Sequence, residues 1–179
     1  MNLQIKMISY LLHYPDESLL KLLPEFREGL NAAENISERD IYEQMITYFE
    51  MTPLIQLQEQ YTETFDLNAS NCLNLTYHRW GDTEKRGPAL VHLEETYFKT
   101  GFQRIGSELP DYLPLVLEFV AERPDIARSE IIPLYGEVVE ALAGRLRQAE
   151  HPYAPLFEQL ITILGLPGAA PVMQTETMQ

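Results

Sequence analysis

Aromatic and acidic residues supply the most pointed chemistry in this sequence. Tyr61, Phe65, Tyr77, Trp80, Tyr97 and Tyr112 are interspersed with Glu63, Asp66, Glu108, Asp111 and Glu118 along its middle. An acidic groove with aromatic walls suits a basic amphipathic peptide helix, because rings cover its apolar face while carboxylates meet its Lys or Arg side chains. Aromatic residues at helical spacing also pack ordinary cores, so the competing reading is a plain core with an acidic exterior. Patterns that would carry catalysis are missing: there is no glycine-rich phosphate loop, paired CxxC, HExxH or nucleophile elbow. His13, His78, His92 and His151 lie in separate segments without i, i+4 spacing, and a metal site would need tertiary coincidence, with His78 the best placed. Glu94, Glu95, Glu118 and Glu122 could in principle form a two-metal carboxylate cluster, but that site needs Glu-x-x-His pairs and the chain has none. Their expected place is a solvated helix face. Cys72 is the single cysteine, so it forms no internal disulfide and reads as a small buried apolar residue in a reducing compartment. The residues therefore point to no catalytic group, no metal and no cofactor.

These side chains must be positioned by helices. Apolar residues recur at helical spacing in nearly every segment and strict alternation is absent, which predicts an all-α fold. The 179 residues, 45% of them hydrophobic, suit one domain, here a bundle of about eight or nine helices over residues 1–165, followed by a tail of disordered composition over 166–179. Leu3, Met7, Ile8, Leu11 and Leu12 make a first stripe, ended at Tyr14-Pro15. A second helix runs from Asp16 to about Leu30 with Pro24 inside it. Ser37 and Asp40 stand at capping-box spacing before a third, and Thr52-Pro53 reads as the cap and first-turn proline of a fourth carrying Leu54, Leu57, Tyr61 and Phe65. Residues 66–86 read as a loop with two helical turns near Leu73 to His78. Pro88 then opens a helix with Leu90, Val91, Leu93, Tyr97 and Phe98 on its stripe, and Gly101 ends it. In ELPDYLPLVLEFV, Asp111 is the expected N-cap of a helix apolar on nearly every side, either a central core helix or one wall of a groove. The longest stripe, Ile131, Tyr135, Val138, Leu142 and Leu146, and a last helix closed by Gly165 complete the body.

The formal charge of −14 opposes association with nucleic acid or anionic lipid and favours a basic partner. The first residues, MNLQIKMISYLLHYP, lack a cationic leader, a long apolar run and a cleavage site, so neither export nor direct membrane insertion is expected. The expected location is cytoplasmic.

Residues 61–120 resemble the respiratory nitrate reductase assembly chaperones of the NarJ-type delta subunit, within the wider family of cytoplasmic chaperones for molybdenum-containing reductases. The resemblance runs through Tyr61, Phe65 and Asp66, then Leu73, Leu75, His78 and Gly81, then Arg86, Gly87 and Ala89. It ends in the Glu-Leu-Pro-Asp-x-Leu-Pro block of Glu108, Leu109, Pro110, Asp111, Leu113 and Pro114. Looser similarity covers about Met1 to Leu164. Tyr112 stands where the family often has His, and Pro88 where a helix-compatible residue is usual, which implies a later helix start.

The resemblance implies a non-catalytic chaperone that binds the N-terminal peptide of an apo catalytic subunit, that of nitrate reductase, and keeps it competent for molybdenum cofactor insertion. Tyr61, Phe65, Tyr77 and Tyr112 are expected to line the groove, Glu108, Asp111 and Glu118 to supply charge, and Pro110 and Arg86 to belong to the same site. Arg86 could equally pair with an acidic cap inside the protein. Alternative clients are a selenate, chlorate or dimethyl sulfide-type oxidoreductase, and the alternative classes are a small helical metalloenzyme or a plain adaptor.

Overall fold

A computed structural model describes residues 2–32 and 39–168. Its elements are helices, as the periodicity predicts. Helix α1, Asn2–Leu11, inserts Ile5, Met7, Ile8 and Leu11 into the core, with Leu12 just beyond it. Leu3, expected on that stripe, is 40% exposed and rests beside Gly29 of α2 instead. Asp16 caps α2, Glu17–Ala32, by accepting the Leu19 N–H at 2.8 Å. The expected Ser37–Asp40 capping box cannot be placed, because Ser37 lies outside the described residues, as does the tail from 169 onward.

Helix α3, Arg39–Met51, buries Tyr42, Met45, Ile46 and Phe49. Thr52 does not cap the next helix; its hydroxyl donates back to the Tyr48 carbonyl at 2.7 Å and closes α3, the usual local alternative for a threonine at a helix end. Helix α4, Leu54–Tyr61, runs straight into a π-helical turn, Thr62–Asp66, so Leu57, Tyr61 and Phe65 stay buried while the helix widens by one residue. After a polar stretch come α5, Leu75–Trp80, and α6, Arg86–Lys99. The latter begins at Arg86, before Pro88 rather than at it, because a first-turn proline gives up an amide that has no helical partner. On α6 only part of the expected stripe is core: Leu93 and Tyr97 are buried, whereas Val91 and Phe98 are 57% and 85% exposed.

Helix α7, Leu113–Glu122, is the centre of the bundle, with every residue but Glu118 and Glu122 buried. Helix α1 packs along it, and the Ser9 hydroxyl donates to the Pro114 carbonyl at 2.8 Å. A single turn α8, Pro124–Ile126, and a second π turn, Ala127–Ile131, lead into α9, Ile132–Gln148, whose predicted stripe is fully buried. Helix α10, Ala154–Leu164, folds back on α9 and reaches α1 and α3. Gly101 and Gly165 take φ of 73° and 69°, so the Phe102 and Leu166 amides reach back to Tyr97 and Ile161 at 3.0 Å. Glu150 does the same at the end of α9 with φ of 50°, although it carries a side chain.

Candidate functional site

Two adjoining clefts meet where the ends of α1 and α4 face the segment before α7. The first, about 370 Å³, is lined by Tyr14, Tyr61, Phe65, Asp66, Cys72, Leu73, Asn74, Glu108 and Tyr112. The second, about 430 Å³, includes Tyr10, His13, Tyr14, Asp16, Glu108, Tyr112 and Glu118. Tyr14, Glu108 and Tyr112 belong to both, so the two form one groove, and neither Lys nor Arg lines it. The groove therefore gathers five of the residues singled out in the sequence: Tyr61, Phe65, Glu108, Tyr112 and Glu118.

Local structure explains how. The π turn places Phe65 in the core, edge-on to Tyr61 with ring centres 5.0 Å apart, and leaves Asp66 exposed at the rim. The Tyr61 hydroxyl lies 3.0 Å from the Leu12 carbonyl, at the end of α1, and 2.8 Å from the Tyr112 hydroxyl. With one proton each, Tyr61 donates to Leu12 and accepts from Tyr112. Burial pushes the Tyr61 hydroxyl far above its ordinary range, and burial also pushes Tyr112 up to about 12, so both remain neutral donors. His13 stands edge-on to Tyr112 at 5.6 Å and places Nε2 3.6 Å from a Glu118 carboxylate oxygen.

The other four predicted residues sit elsewhere. Asp111 is not the N-cap of α7, since Tyr112 occupies that position and offers no side-chain bond. Its carboxylate is wholly buried and turns to α5 instead, accepting the Thr76 N–H and the Asn74 amide at 3.0 Å each, as well as the Thr76 hydroxyl. Arg86 closes the network, with a guanidinium nitrogen 3.6 Å from Asp111 and Nε 3.1 Å from the Thr76 hydroxyl. An antiparallel bridge between Asn74 and Tyr112 brings these segments together. Pro110 is buried and its carbonyl accepts the Tyr97 hydroxyl at 2.8 Å, while Tyr77 lies under Arg86 at 5.5 Å. None of the four lines either cleft. Together they hold the Glu108–Tyr112 segment in place, which resolves the two readings of Arg86 in favour of an internal pair.

Cys72 is half-buried and lines the first cleft, where burial raises its thiol above the ordinary value. His78 Nε2 is 3.6 Å from that sulfur but 2.7 Å from the Cys72 carbonyl, to which it donates, and burial lowers the imidazole. A protonated thiol beside a neutral imidazole is the opposite of the thiolate and imidazolium that a cysteine nucleophile requires. Among the described residues no group of three His, Cys, Asp or Glu side chains is placed to hold a metal ion. No helix among them is long and apolar enough to cross a membrane.

Sequence reasoning missed Tyr14, Asp16 and His13 as groove residues. Tyr14-Pro15 was legible as a helix stop and Asp16 as a cap, but nothing local says that this corner faces Tyr112.

An all-helical body with an acidic, aromatic groove defines a class of peptide-binding helical proteins. The crystal structure of a redox enzyme maturation protein from Archaeoglobus fulgidus has this fold, with a TM-score of 0.69 at 22% identity, covering 92% of this chain and 94% of that one. The family model for the nitrate reductase delta subunit matches residues 31–159, and the chain belongs to that family. It is 36% identical over 160 residues to a probable nitrate reductase molybdenum cofactor assembly chaperone, NarJ, of Bacillus subtilis, spanning 88% of this chain and 85% of the relative. Against the Escherichia coli chaperone NarJ it is 33% identical over 163 residues, 90% of this chain and 69% of that one.

Proposed function

We propose that this protein is a chaperone for a molybdenum-containing reductase, nitrate reductase foremost, which grips the N-terminal peptide of the apo catalytic subunit before molybdenum cofactor insertion. It acts without a catalytic group of its own and works in the cytoplasm. The observation that carries the reading is the paired groove: aromatic rings, a neutral tyrosine pair, and the carboxylates Asp16, Asp66, Glu108 and Glu118, with no lining cation. A basic amphipathic helix has the matching chemistry. Its apolar face would lie on Tyr14, Tyr61, Phe65 and Tyr112, and its Lys or Arg side chains would meet the four carboxylates, steered by the net charge of −14. The names of the relatives, which are assembly chaperones, support the same reading.

Calorimetric titration with the leader peptide of the client tests it. Affinity should fall as salt rises, and Glu108→Gln with Glu118→Gln should weaken binding about tenfold or more while leaving the fold intact. Equal affinity for wild type and the double variant would reject the groove. Leaders from selenate, chlorate and dimethyl sulfide-type oxidoreductases, titrated side by side, identify the client.

A further inference from the structure

Thr64 sits in the π turn beside Phe65, and its hydroxyl lies 2.9 Å from His151 Nε2. His151 lines a separate cleft of about 320 Å³ between α3 and the α9–α10 turn. Its floor is apolar and stiff: Ile41, Met45 and Tyr48 come from α3, Pro152 and Pro155 from the turn. Gln44 and Tyr48 also border a neighbouring depression of about 540 Å³ along α3, which includes Asp40 and Glu43. Glu150 stands on the other wall, and neither hollow has a Lys or Arg in its lining. Arg27 engages Glu43 at 3.0 Å, which leaves Asp40 and Glu150 as the carboxylates facing this surface without a printed ion pair of that kind.

This surface repeats the chemistry of the leader groove and is joined to it. Tyr48 packs on Tyr153 at 6.5 Å between ring centres, Tyr153 on Phe65 at 5.3 Å, and Phe65 on Tyr61 at 5.0 Å. One aromatic seam thus underlies both sites, with only the Thr62–Asp66 turn between them. Ten residues of extended chain reach about 33 Å, enough to pass over such a corner.

We propose that the cleft between α3 and the α9–α10 turn is an exosite for the stretch of client chain adjoining the leader helix, a segment of apolar side chains with at least one cation. The inference rests on the leader-binding reading above. Tethering makes the second contact intramolecular, so a weak cleft adds measurably to affinity without binding detectably alone.

The test compares two client peptides, one ending with the leader helix and one extended by the residues that follow it, on wild-type protein, the Gln44→Lys/Glu150→Lys variant and the Glu137→Lys variant. Glu137 is exposed near the other end of α9 and controls for net charge. The extended peptide should bind wild type and Glu137→Lys about tenfold more tightly than the short one, and the Gln44→Lys/Glu150→Lys variant should lose that gain while holding the short peptide unchanged. Thr47→Lys is the independent variant if the double substitution disturbs folding. No gain in wild type, or a gain that survives in Gln44→Lys/Glu150→Lys, overturns the exosite. Failure of the short peptide to bind wild type overturns the leader reading itself, and the exosite with it.

Discussion

Removal of the Asp111 carboxylate is the sharpest perturbation this structure offers, because the same residue looks like a surface cap in sequence and is wholly buried in the fold. An exposed N-cap replaced by Ala costs about 1 kcal/mol. Asp111 instead satisfies the Thr76 N–H, the Thr76 hydroxyl and the Asn74 amide, and faces the Arg86 guanidinium, only 20% of which is exposed. Taking one partner from such a buried charged pair costs about 3–5 kcal/mol, since the remaining charge and the freed donors lose their solvation without compensation. That is a large part of the roughly 5–15 kcal/mol that holds an ordinary domain together. Urea unfolding of Asp111→Ala, Arg86→Met and the double variant measures it. The Asp111→Ala midpoint should fall by the larger amount, and the cycle should show a coupling of about 0.5–3 kcal/mol. Asp111→Asn, if folded, should keep leader-peptide affinity within about twofold, because this side chain lines neither cleft. A stability loss near 1 kcal/mol or below, or a folded Asp111 variant that no longer binds peptide, would refute the assignment of Asp111 to the scaffold.

Three further outcomes are expected. Cys72 should react with a maleimide more slowly than a free thiol at the same pH, since burial raises its pKa and cuts the thiolate fraction, and bound leader peptide should slow it further. His78 and His151 are both lowered by burial from 6.5, so the unfolded chain takes up more protons than the native one below that value. Stability should therefore drop as pH falls through and below about 6.5, and His78→Gln should flatten the slope seen in urea titrations at each pH. Glu150→Gly should raise stability by about 1 kcal/mol in the same assay, because its φ of 50° is a conformation that glycine adopts without strain.

Helices were legible wherever the apolar stripe was long. Ile131 to Leu146 and Leu57 to Phe65 lie as the spacing predicts because burial of one face dominates other terms there. Caps were read less well: Thr52 and Asp111 have the right residue type, but each finds a better partner, one in the preceding turn and one in a distant segment. Spacing cannot rank such partners. The stripe on α6 failed at Val91 and Phe98 for a related reason, since apolar residues on two faces of one helix do not say which face meets the core. Within the site, Tyr61, Phe65, Glu108, Tyr112 and Glu118 were legible as chemistry, while Tyr14 and Asp16 were not, because their role depends on the tertiary approach of α1 to the segment before α7.

The widened turn at Thr62–Asp66 amounts to one surplus amino acid in an otherwise regular coil. Each position in an ordinary coil advances by about 100°, so excising a single codon there would restore regular winding and swing every later side chain of that segment by that angle. Phe65 would leave its seat beside Tyr61, and Asp66 would abandon the rim. A lineage could thus gain or forfeit this recess through one in-frame indel, with no substitution among the residues that border it.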